Sequence, residues 1–362
     1  MHRKISKIAY YITAHGFGHA VRSCEILRRL VELDAGIEPV VVSNIADSLV
    51  EENVGRRLVR RRNGIDIGLK QFDSLRFDLD ETLSALRRLR NDSMQIIVEE
   101  KEFVKKEGIR AIVSDIPFLA FEVAKECGIP GIGISNFTWD WIYEAYMHLD
   151  PGWEDIVSSI REHYAKCTLF LQLPMHGDCS ACPNVEDVPL VARKAGRSAY
   201  EVRRALGLDV DQKVFLVSFT ALDMVSSAYR KLEDIRDVVF LYKSPLVFPL
   251  ANARSLDGCG IRYVDAMAAS DGVITKPGYG IVADCLANGT PIVYTERGIF
   301  REYPVLVEEI EANLRAVYLN PDDFHAGNWE DAMDRICSNP VKTLPKPADG
   351  AEICAWRIAG FL

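Results

Sequence analysis

Length, composition and charge already exclude several classes of protein. The 362 residues are 48% hydrophobic and 26% charged, which is ordinary usage for a globular chain of two domains. A formal net charge of -9 argues against an extended nucleic-acid surface, because such surfaces are basic. No apolar run approaches the roughly 18–20 residues of a membrane span, so we expect neither a nucleic-acid partner nor a transmembrane segment.

The N-terminus and the cysteines favour a cytoplasmic protein. The first residues, MHRKISKIAYYITAHG, are charged and then strand-like, and they lack the cleavage region of a signal peptide. Nine cysteines, an odd number, indicate reduced thiols rather than a disulfide framework. The stretch HGDCSACPN holds His176, Cys179 and Cys182 but no second ligand pair, and a zinc site needs about four ligands. We therefore predict a turn there and no metal site.

Short apolar runs alternate with helical patterns along the whole chain. Runs that are apolar on both faces, each followed by a helix, are typical of parallel sheets covered on both sides. The series occurs twice, which predicts an α/β fold of two doubly wound, Rossmann-like domains. The predicted strands are KIAYYIT, EPVVVS, IRAIVSD, PGIGISN and TLFLQLP in the first half, and KVFLVSF, DVVFLYKS, GIRYVD, DGVIT and PIVYTE in the second.

The domain boundary is expected in a polar stretch just before a helix whose N-cap is Ser198. We predict an N-terminal domain over 1–194, a C-terminal domain over 195–345, and a tail over 346–362 that could pack back on the first domain. One basic run, RRLVRRR over 56–62, is expected to be a solvated helix face. Contact with an anionic membrane surface or acceptor is the alternative for that run.

A glycine-rich turn follows the first predicted strand. Gly16 and Gly18 lie between that strand and a helix, where backbone N–H groups can approach an anion and the helix dipole favours negative charge. We therefore list both glycines as nucleotide-binding candidates. A dinucleotide fingerprint G-x-G-x-x-G is incomplete here, because Val21 stands in the third glycine position. That departure argues against a nicotinamide or flavin cofactor.

Five further side chains could act on or contact an acceptor substrate. His19 lies in the first turn of the helix, where a neutral imidazole could take a proton from a hydroxyl; a histidine bonded to backbone is the alternative. His15 lies inside the turn itself. Asp115 ends the strand IRAIVSD, where acceptor contact and turn capping are equally open. Trp139 and Asp140, with the neighbouring Trp141, could form a sugar-stacking wall or could simply pack in the core.

A second turn of the same kind occurs in SDGVITKPGYGIVADCLANGTPIV. Gly278, Tyr279 and Gly280 begin a helix whose amides can receive a phosphate, and Lys276 could add positive charge. Asp284 lies one turn further on the same face, where a carboxylate could accept both hydroxyls of a ribose. Gly289 should end this helix. Two such turns at corresponding places in tandem domains predict a ligand held in a cleft between the domains.

This second stretch resembles the nucleotide-binding segment of MurG-like glycosyltransferases of the GT-B fold. By that resemblance Asp284 takes the place of the ribose-binding acid, which is usually glutamate in the family, and Lys276 that of a frequent basic residue. The resemblance also implies that His19 is the candidate base. It further implies that Arg301 and Glu302, in ERGIFREYP, meet the donor sugar; a solvated helix start is the alternative for that pair.

A longer resemblance covers most of the chain. YYITAHGFGHAVRSCEILRRL, VSDIPFLAFEVAKECGIPGIGISNFTWDWIYEAY, VEDVPLVARKAGRSAYEVRRALGL and ASDGVITKPGYGIVADCLANGTPIVYTERGIFREYPVL are similar to the N-terminal glycosyltransferase-like region of plant-type L-arabinokinases. The sugar kinase domain of those proteins has no counterpart in this sequence, and no kinase phosphate loop of the G-L-S-S-S type occurs. The resemblance therefore implies the GT-B fold but not kinase activity.

These observations predict a glycosyltransferase that moves a sugar from a nucleotide-diphosphate sugar to an acceptor whose identity the sequence does not indicate. A uridine-linked donor, an inverting reaction and independence of any metal or cofactor are what the family likeness implies. A sugar-nucleotide epimerase on the same fold is one alternative. A binding or regulatory module that senses sugar nucleotides without chemistry is the other. The sequence does not indicate an oligomeric state.

Overall fold

The computed structural model describes residues 5–72, 76–209, 211–338 and 344–362. The chain divides into two compact units. The first comprises Met1–Lys70, Asp78–Ala192 and Ala348–Leu362, and the second comprises Gln71–Phe77 and Arg193–Pro347. Within the described part of the chain, no helix combines the length and the hydropathy needed to cross a bilayer.

The first unit is built on a parallel sheet with helices on both faces. Its strands are β1 (Ser6–Ile12), β2 (Ile37–Val42), β3 (Val59–Arg61), β6 (Ile109–Asp115), β7 (Gly131–Ser135), β8 (Leu169–Gln172) and β9 (Val185–Asp187), in the order β3-β2-β1-β6-β7-β8-β9. Two short strands, β4 (Lys70–Gln71) and β5 (Phe77–Asp78), form a separate pair. The helices are α1 (Phe17–Leu33), α2 (Asp47–Val54), α3 (Leu79–Glu107), α4 (Leu119–Cys127), α5 (Trp139–Glu144), α6 (Gly152–Tyr164) and α14 (Gly350–Ala359).

The second unit repeats this plan with a smaller sheet. Its strands are β10 (Lys213–Ser218), β11 (Val238–Tyr242), β12 (Ala253–Ser255), β13 (Gly272–Thr275), β14 (Ile292–Tyr294) and β15 (Ala316–Tyr318), in the order β12-β11-β10-β13-β14-β15. Its helices are α7 (Ala199–Ala205), α8 (Ser226–Glu233), α9 (Tyr263–Ala268), α10 (Tyr279–Asn288), α11 (Tyr303–Asn313), α12 (Pro321–His325) and α13 (Glu330–Ser338). The strand order reverses beside β10, as in a doubly wound sheet.

Central strands of both sheets are buried along nearly their whole length. Residues 8–12 of β1 and 214–217 of β10 are almost fully covered, because helices pack on both faces of each sheet. This explains why the strands read as continuous apolar runs rather than as alternating ones. The predicted α/β class with two doubly wound domains is confirmed.

Two local predictions are wrong. GIRYVD was expected to be a strand, but Arg262 is the extended N-cap of α9 and Tyr263 begins that helix. The Asp265 carboxylate accepts hydrogen bonds from the Arg262 guanidinium (Nε 2.9 Å, Nη2 2.8 Å) and from the Gly196 backbone N–H (2.7 Å), which fixes the helical turn. The corresponding strand of the sheet is the short β12, which lacks an apolar run.

The basic run 56–62 is the second wrong prediction, because it contains the edge strand β3 rather than a helix face. Arg60 and Arg62 form ion pairs with Asp47, at 3.3 and 2.8 Å. Arg61 binds the buried carboxylate of Glu100 at 2.6 Å. Local pairing therefore explains much of this basic charge, and contact with a membrane stays a prediction.

Helix ends in the second unit confirm the turn chemistry that the sequence predicts. Ser198 caps α7 in a capping box, in which its hydroxyl accepts from the Glu201 N–H and the Glu201 carboxylate accepts from the Ser198 N–H. Gly289 ends α10 in the left-handed conformation, at φ 68°, which glycine adopts without strain.

Replacement of Ser198 by alanine should lower the free energy of unfolding of the second unit by about 1 kcal/mol, because the cap hydrogen bond is lost. Urea denaturation followed by circular dichroism measures this. Ser226→Ala is a matched control, since Ser226 begins α8 without a side-chain cap. Equal effects of the two substitutions would contradict the assignment of the cap.

Candidate active site

The turn between β1 and α1 places two glycines and two histidines at the carboxyl edge of the first sheet. Gly16 is the N-cap of α1 and has φ 75°, a conformation that favours glycine, while Gly18 lies in the first turn of the helix. The His15 backbone N–H donates to the Thr13 hydroxyl at 3.2 Å. The His15 side chain packs against Gly68, where an added Cβ would lie 2.7 Å from the His15 Cβ.

Strand register brings His19 to Asp115. Ile12 pairs with Asp115 between β1 and β6, and the Thr13 N–H donates to the Asp115 carbonyl oxygen at 2.8 Å. His19 is the third residue of α1, so its ring lies above this strand end, with Nδ1 2.7 Å from Asp115 Oδ1. The Asp115 side chain is fully buried, and 9% of the His19 side chain is exposed.

Asp115 receives four hydrogen bonds, two at each carboxylate oxygen. Oδ1 accepts from His19 Nδ1 (2.7 Å) and from Arg22 Nη2 (2.7 Å), while Oδ2 accepts from Arg22 Nε (2.8 Å) and from the Ser23 hydroxyl (2.7 Å). Burial by itself would raise the pKa of Asp115, but the charge of Arg22 and the contact with His19 outweigh burial and hold the pKa well below its ordinary range. The carboxylate is therefore charged at neutral pH.

Arg22 and Ser23 were not among the predicted site residues. They follow His19 by three and four positions, so all three side chains share one face of α1, and this spacing in HAVRS is the signal that could have found them. Arg22 is 2% exposed. Its guanidinium also donates to the hydroxyl of Ser135, the last residue of β7, at 2.7 Å and to Oδ1 of the following Asn136 at 2.6 Å.

Asp66 is a second carboxylate that sequence reasoning missed. Its Oδ1 accepts from the Thr13 hydroxyl at 3.1 Å and its Oδ2 accepts from Trp139 Nε1 at 3.0 Å. Burial raises the pKa of Asp66 to about 6, against the lowering effect of these two hydrogen bonds, and the charge of Asp115 adds to the increase. Through its hydrogen bonds to Thr13 and Trp139, Asp66 joins the first glycine turn to the start of α5.

Predicted acceptor residues on α5 are buried. Trp139 is fully covered, stacks on Tyr143 with ring centroids 5.3 Å apart, and meets His15 edge-on at 5.4 Å. Asp140 accepts from Arg161 Nε at 3.1 Å. The Trp141 ring covers Gly177, where an added Cβ would lie 2.4 Å from it. These positions favour core packing, and direct contact of Trp139 and Asp140 with an acceptor stays a prediction.

The raised pKa of Asp66 makes stability depend on pH. Between about pH 4 and 6 the folded protein retains a proton that the unfolded chain releases, so stability should fall as pH rises through this window. Relative to Asp66→Asn, the unfolding free energy of the wild type should fall by about 1–3 kcal/mol between pH 4 and 7. Urea melts at several pH values measure this, and a constant difference between the two proteins would contradict it.

The turn between β13 and α10 forms the candidate site of the second unit. Gly278 is the N-cap of α10 and has no side chain with which to cap the helix, whose first two backbone amides belong to Tyr279 and Gly280. Lys276 precedes the N-cap by two residues. Such amides, together with the helix dipole, favour an anion. The Thr275 hydroxyl donates to the Ser218 carbonyl oxygen at 3.0 Å and holds the turn at the end of β10.

Arg297 adds positive charge at this turn and was not predicted. Its Nη1 donates to the Pro277 carbonyl oxygen at 3.3 Å and to Glu302 at 2.8 Å, and its guanidinium lies 4.1 Å from the centre of the Phe300 ring. The structure thus places Glu302, buried before α11, beside the α10 turn through Arg297. Arg301 is half-buried in the preceding turn. Contact of Arg301 and Glu302 with a donor sugar stays a prediction.

Asp284 lies on α10 one turn after Gly280, as expected, but Arg193 already binds its carboxylate. Oδ1 accepts from the Arg193 backbone N–H at 2.8 Å, and Oδ2 accepts from the guanidinium at 3.0 Å (Nε) and 2.6 Å (Nη2). Asn288, one turn later, accepts from the Ala195 N–H and donates to the Arg193 carbonyl oxygen, both at 2.9 Å. A ribose at Asp284 would therefore share this carboxylate with Arg193.

Metal ligands are not clustered in the described residues: no group of three or more His, Cys, Asp or Glu side chains there could hold a metal ion. Cys179 and Cys182 are buried, whereas His176 is exposed in the irregular segment before them. The Cys182 backbone N–H donates to the Cys179 carbonyl oxygen at 3.0 Å, which forms the turn predicted in HGDCSACPN.

Two doubly wound sheets in tandem, each with a glycine turn at a strand end, define a GT-B type protein, and comparison with known proteins agrees. L-arabinokinase of Arabidopsis thaliana is 30% identical over 353 residues, which are 91% of this chain and 32% of that protein. The chain thus spans about a third of L-arabinokinase. An uncharacterized glycosyltransferase, MK0977 of Methanopyrus kandleri, is 26% identical over 287 residues, 73% of this chain and 79% of the relative. No protein-family model matches the sequence.

Solved structures show the same fold. A UDP-glucosyltransferase from Polygonum tinctorium superposes with a TM-score of 0.61 at 11% identity, over 100% of this chain and 99% of that chain. The homology to the N-terminal region of L-arabinokinases and the GT-B fold are thus confirmed. The Methanopyrus kandleri relative is named as a glycosyltransferase, and the structural neighbour shares its fold with this chain.

Proposed function

We propose that the protein transfers a glycosyl group from a UDP-linked sugar to a hydroxyl group of an acceptor, with His19 as the general base. The observation that carries this proposal is the buried hydrogen bond between His19 and Asp115 at the start of α1. A hydrogen bond from Nδ1 to a carboxylate fixes the orientation of the imidazole ring and leaves the lone pair on Nε2. A general base needs such a fixed lone pair to accept the proton of a substrate hydroxyl.

In the proposed reaction, His19 Nε2 takes the proton of the acceptor hydroxyl while the acceptor oxygen forms a bond to the anomeric carbon. The bond from that carbon to the diphosphate breaks, and UDP leaves with the electron pair. A single displacement of this kind inverts the configuration at the anomeric carbon. Asp115 stabilises the imidazolium that forms, because its charge lies 2.7 Å from Nδ1.

The second unit is proposed to bind the donor nucleotide. The amides at the start of α10, with Lys276 and Arg297, would stabilise the negative charge of the departing diphosphate without a metal ion. A UDP donor is favoured because a structural neighbour over the whole chain is a UDP-glucosyltransferase. Gly16 and Gly18 as further nucleotide contacts, and the cleft between the domains, stay predictions, as does a cytoplasmic location.

The His19→Ala variant should lower kcat by a factor of about 10²–10⁴ and leave the affinity for the donor unchanged, because the base acts only in the chemical step. Initial rates with the best donor, together with calorimetric binding of UDP, separate the two effects. His176→Ala is the matched control, since His176 is an exposed histidine of the same unit. If His19→Ala lost rate and donor affinity equally, a structural role would be indicated.

The Asp284→Ala variant should weaken UDP binding about tenfold or more, because a charged acceptor for the ribose hydroxyls is lost. Asn288→Ala is the control, since it breaks contacts to the same segment, Arg193 and Ala195, without removing the carboxylate. UDP affinity in Asn288→Ala should remain close to that of the wild type. Equal weakening in both variants would mean that Asp284 acts through the segment and not on ribose.

A thermal-shift panel of nucleotide sugars, followed by product analysis with the best donor, decides between this function and its alternatives. Transfer to an added acceptor supports the proposal. Conversion of the donor alone to an isomer would select an epimerase. Binding without a product in any acceptor screen would select a sensing module, and the absence of any nucleotide-dependent shift would reject all three.

A further inference from the structure

The guanidinium of Arg22 lies beside the candidate base and has no role in the reaction as described so far. Arg22 Nη2 lies 2.8 Å from His19 Nδ1, and the side chain is almost fully buried. A buried cation next to a histidine affects which ring nitrogen carries the proton. It also raises the free energy needed to add a second proton to the ring. The hydrogen bonds around Arg22 determine which effect operates.

Counting hydrogens assigns the tautomer of His19. Arg22 Nη2 carries two hydrogens, and acceptors lie in reach of both: Asp115 Oδ1 at 2.7 Å and the Ser135 hydroxyl at 2.7 Å. The Nε hydrogen is directed to Asp115 Oδ2 at 2.8 Å. With these bonds made, Nη2 has no hydrogen for His19, so the proton between His19 and Asp115 belongs to Nδ1. The basic lone pair is then on Nε2.

The charges near His19 come from several elements. Asp115 on β6 and Arg22 on α1 are in direct contact, and Asp66, on the segment before α3, interacts electrostatically with Asp115. The Phe137 ring, after β7, meets the imidazole of His19 in a T-shaped contact, with ring centroids 5.4 Å apart. His15 lies on the same turn. Tyr10 on β1 and Cys354 on α14 lie near Asp115 and are uncharged at neutral pH.

We propose that Arg22 is a positioning residue that keeps His19 as the neutral, Nδ1-protonated imidazole at neutral pH. Arg22 already neutralises Asp115 through two hydrogen bonds, so an imidazolium would be a second cation next to a single anion. A carboxylate without a neighbouring cation would raise the pKa of the histidine and so increase the protonated fraction, which cannot accept a proton. The proposal rests on the proposed function only in calling His19 a base.

Nuclear magnetic resonance titration of the His19 ring tests this without any need for catalysis. The His19 signal is assigned by its absence in His19→Gln, and long-range ¹H–¹⁵N correlations report the tautomer. In the wild type we expect protonation at Nδ1 and a pKa below the ordinary value of about 6.5. A wild-type pKa above about 7, or protonation at Nε2 alone, would overturn the proposal even if no variant of Arg22 folds.

Two variants separate the charge of Arg22 from its packing. In Arg22→Gln the pKa of His19 should rise by about one unit or more, since Asp115 would then face His19 without its cation. In Arg22→Lys, which keeps the charge, the pKa should stay near that of the wild type. An unchanged or lower pKa in Arg22→Gln would overturn the proposal, and circular dichroism confirms that the variants are folded.

Kinetics provide a second readout. In Arg22→Gln the acidic limb of the pH profile of kcat/KM should move upward by the same interval as the His19 pKa, with activity recovered at higher pH and KM for the donor nearly unchanged. If the wild type transfers no sugar with any donor, the proposed function fails, while the titration still decides the role of Arg22. A shifted titration with an unshifted profile would overturn the positioning role.

Discussion

A buried carboxylate that stays charged needs hydrogen-bond donors, and Asp115 obtains all four of its own from His19, Arg22 and Ser23 at the start of α1. These hydrogen bonds also determine the position of the helix. The start of α1 can lie in one position only, because its side chains must meet the end of β6 while its Gly16 turn leaves β1. The geometry of the candidate base is therefore determined by electrostatics at a sheet edge, not by the turn alone.

The two units share one kind of ion pair. In each, an acid at the candidate site is bound by an arginine through Nε and Nη2: Arg22 on Asp115 and Arg193 on Asp284. The environments differ, since Arg22 is fully enclosed while 15% of the Arg193 side chain is exposed. An enclosed pair is costly to separate and suits a permanent scaffold. A partly exposed pair can exchange partners with a hydroxyl ligand at less cost.

Sequence reasoning recovers the architecture because strands covered on both faces must be apolar throughout, and such runs are visible without knowledge of the fold. It fails where a few polar contacts decide between strand and helix. In GIRYVD, for example, hydrogen bonds to Asp265 stabilise a helical turn. His19 and Asp115 were found because strand ends and helix starts carry function in this fold class. Arg22 was missed because a charged residue on a helix is ordinarily solvent-exposed. Asp66 was missed because its partners, Thr13 and Trp139, are distant in sequence.

Helix α14 determines when the first unit can complete its folding during synthesis. It packs on α1 with Cys354 and Ile358 fully covered, and the Gly350 N–H donates to the Leu190 carbonyl oxygen at 3.1 Å. The ribosome therefore completes the whole second unit before it produces the helix that covers α1. Until then the apolar face of α1 is open to chaperones and to other nascent chains. The unit that carries the histidine is therefore begun before the second unit and completed after it.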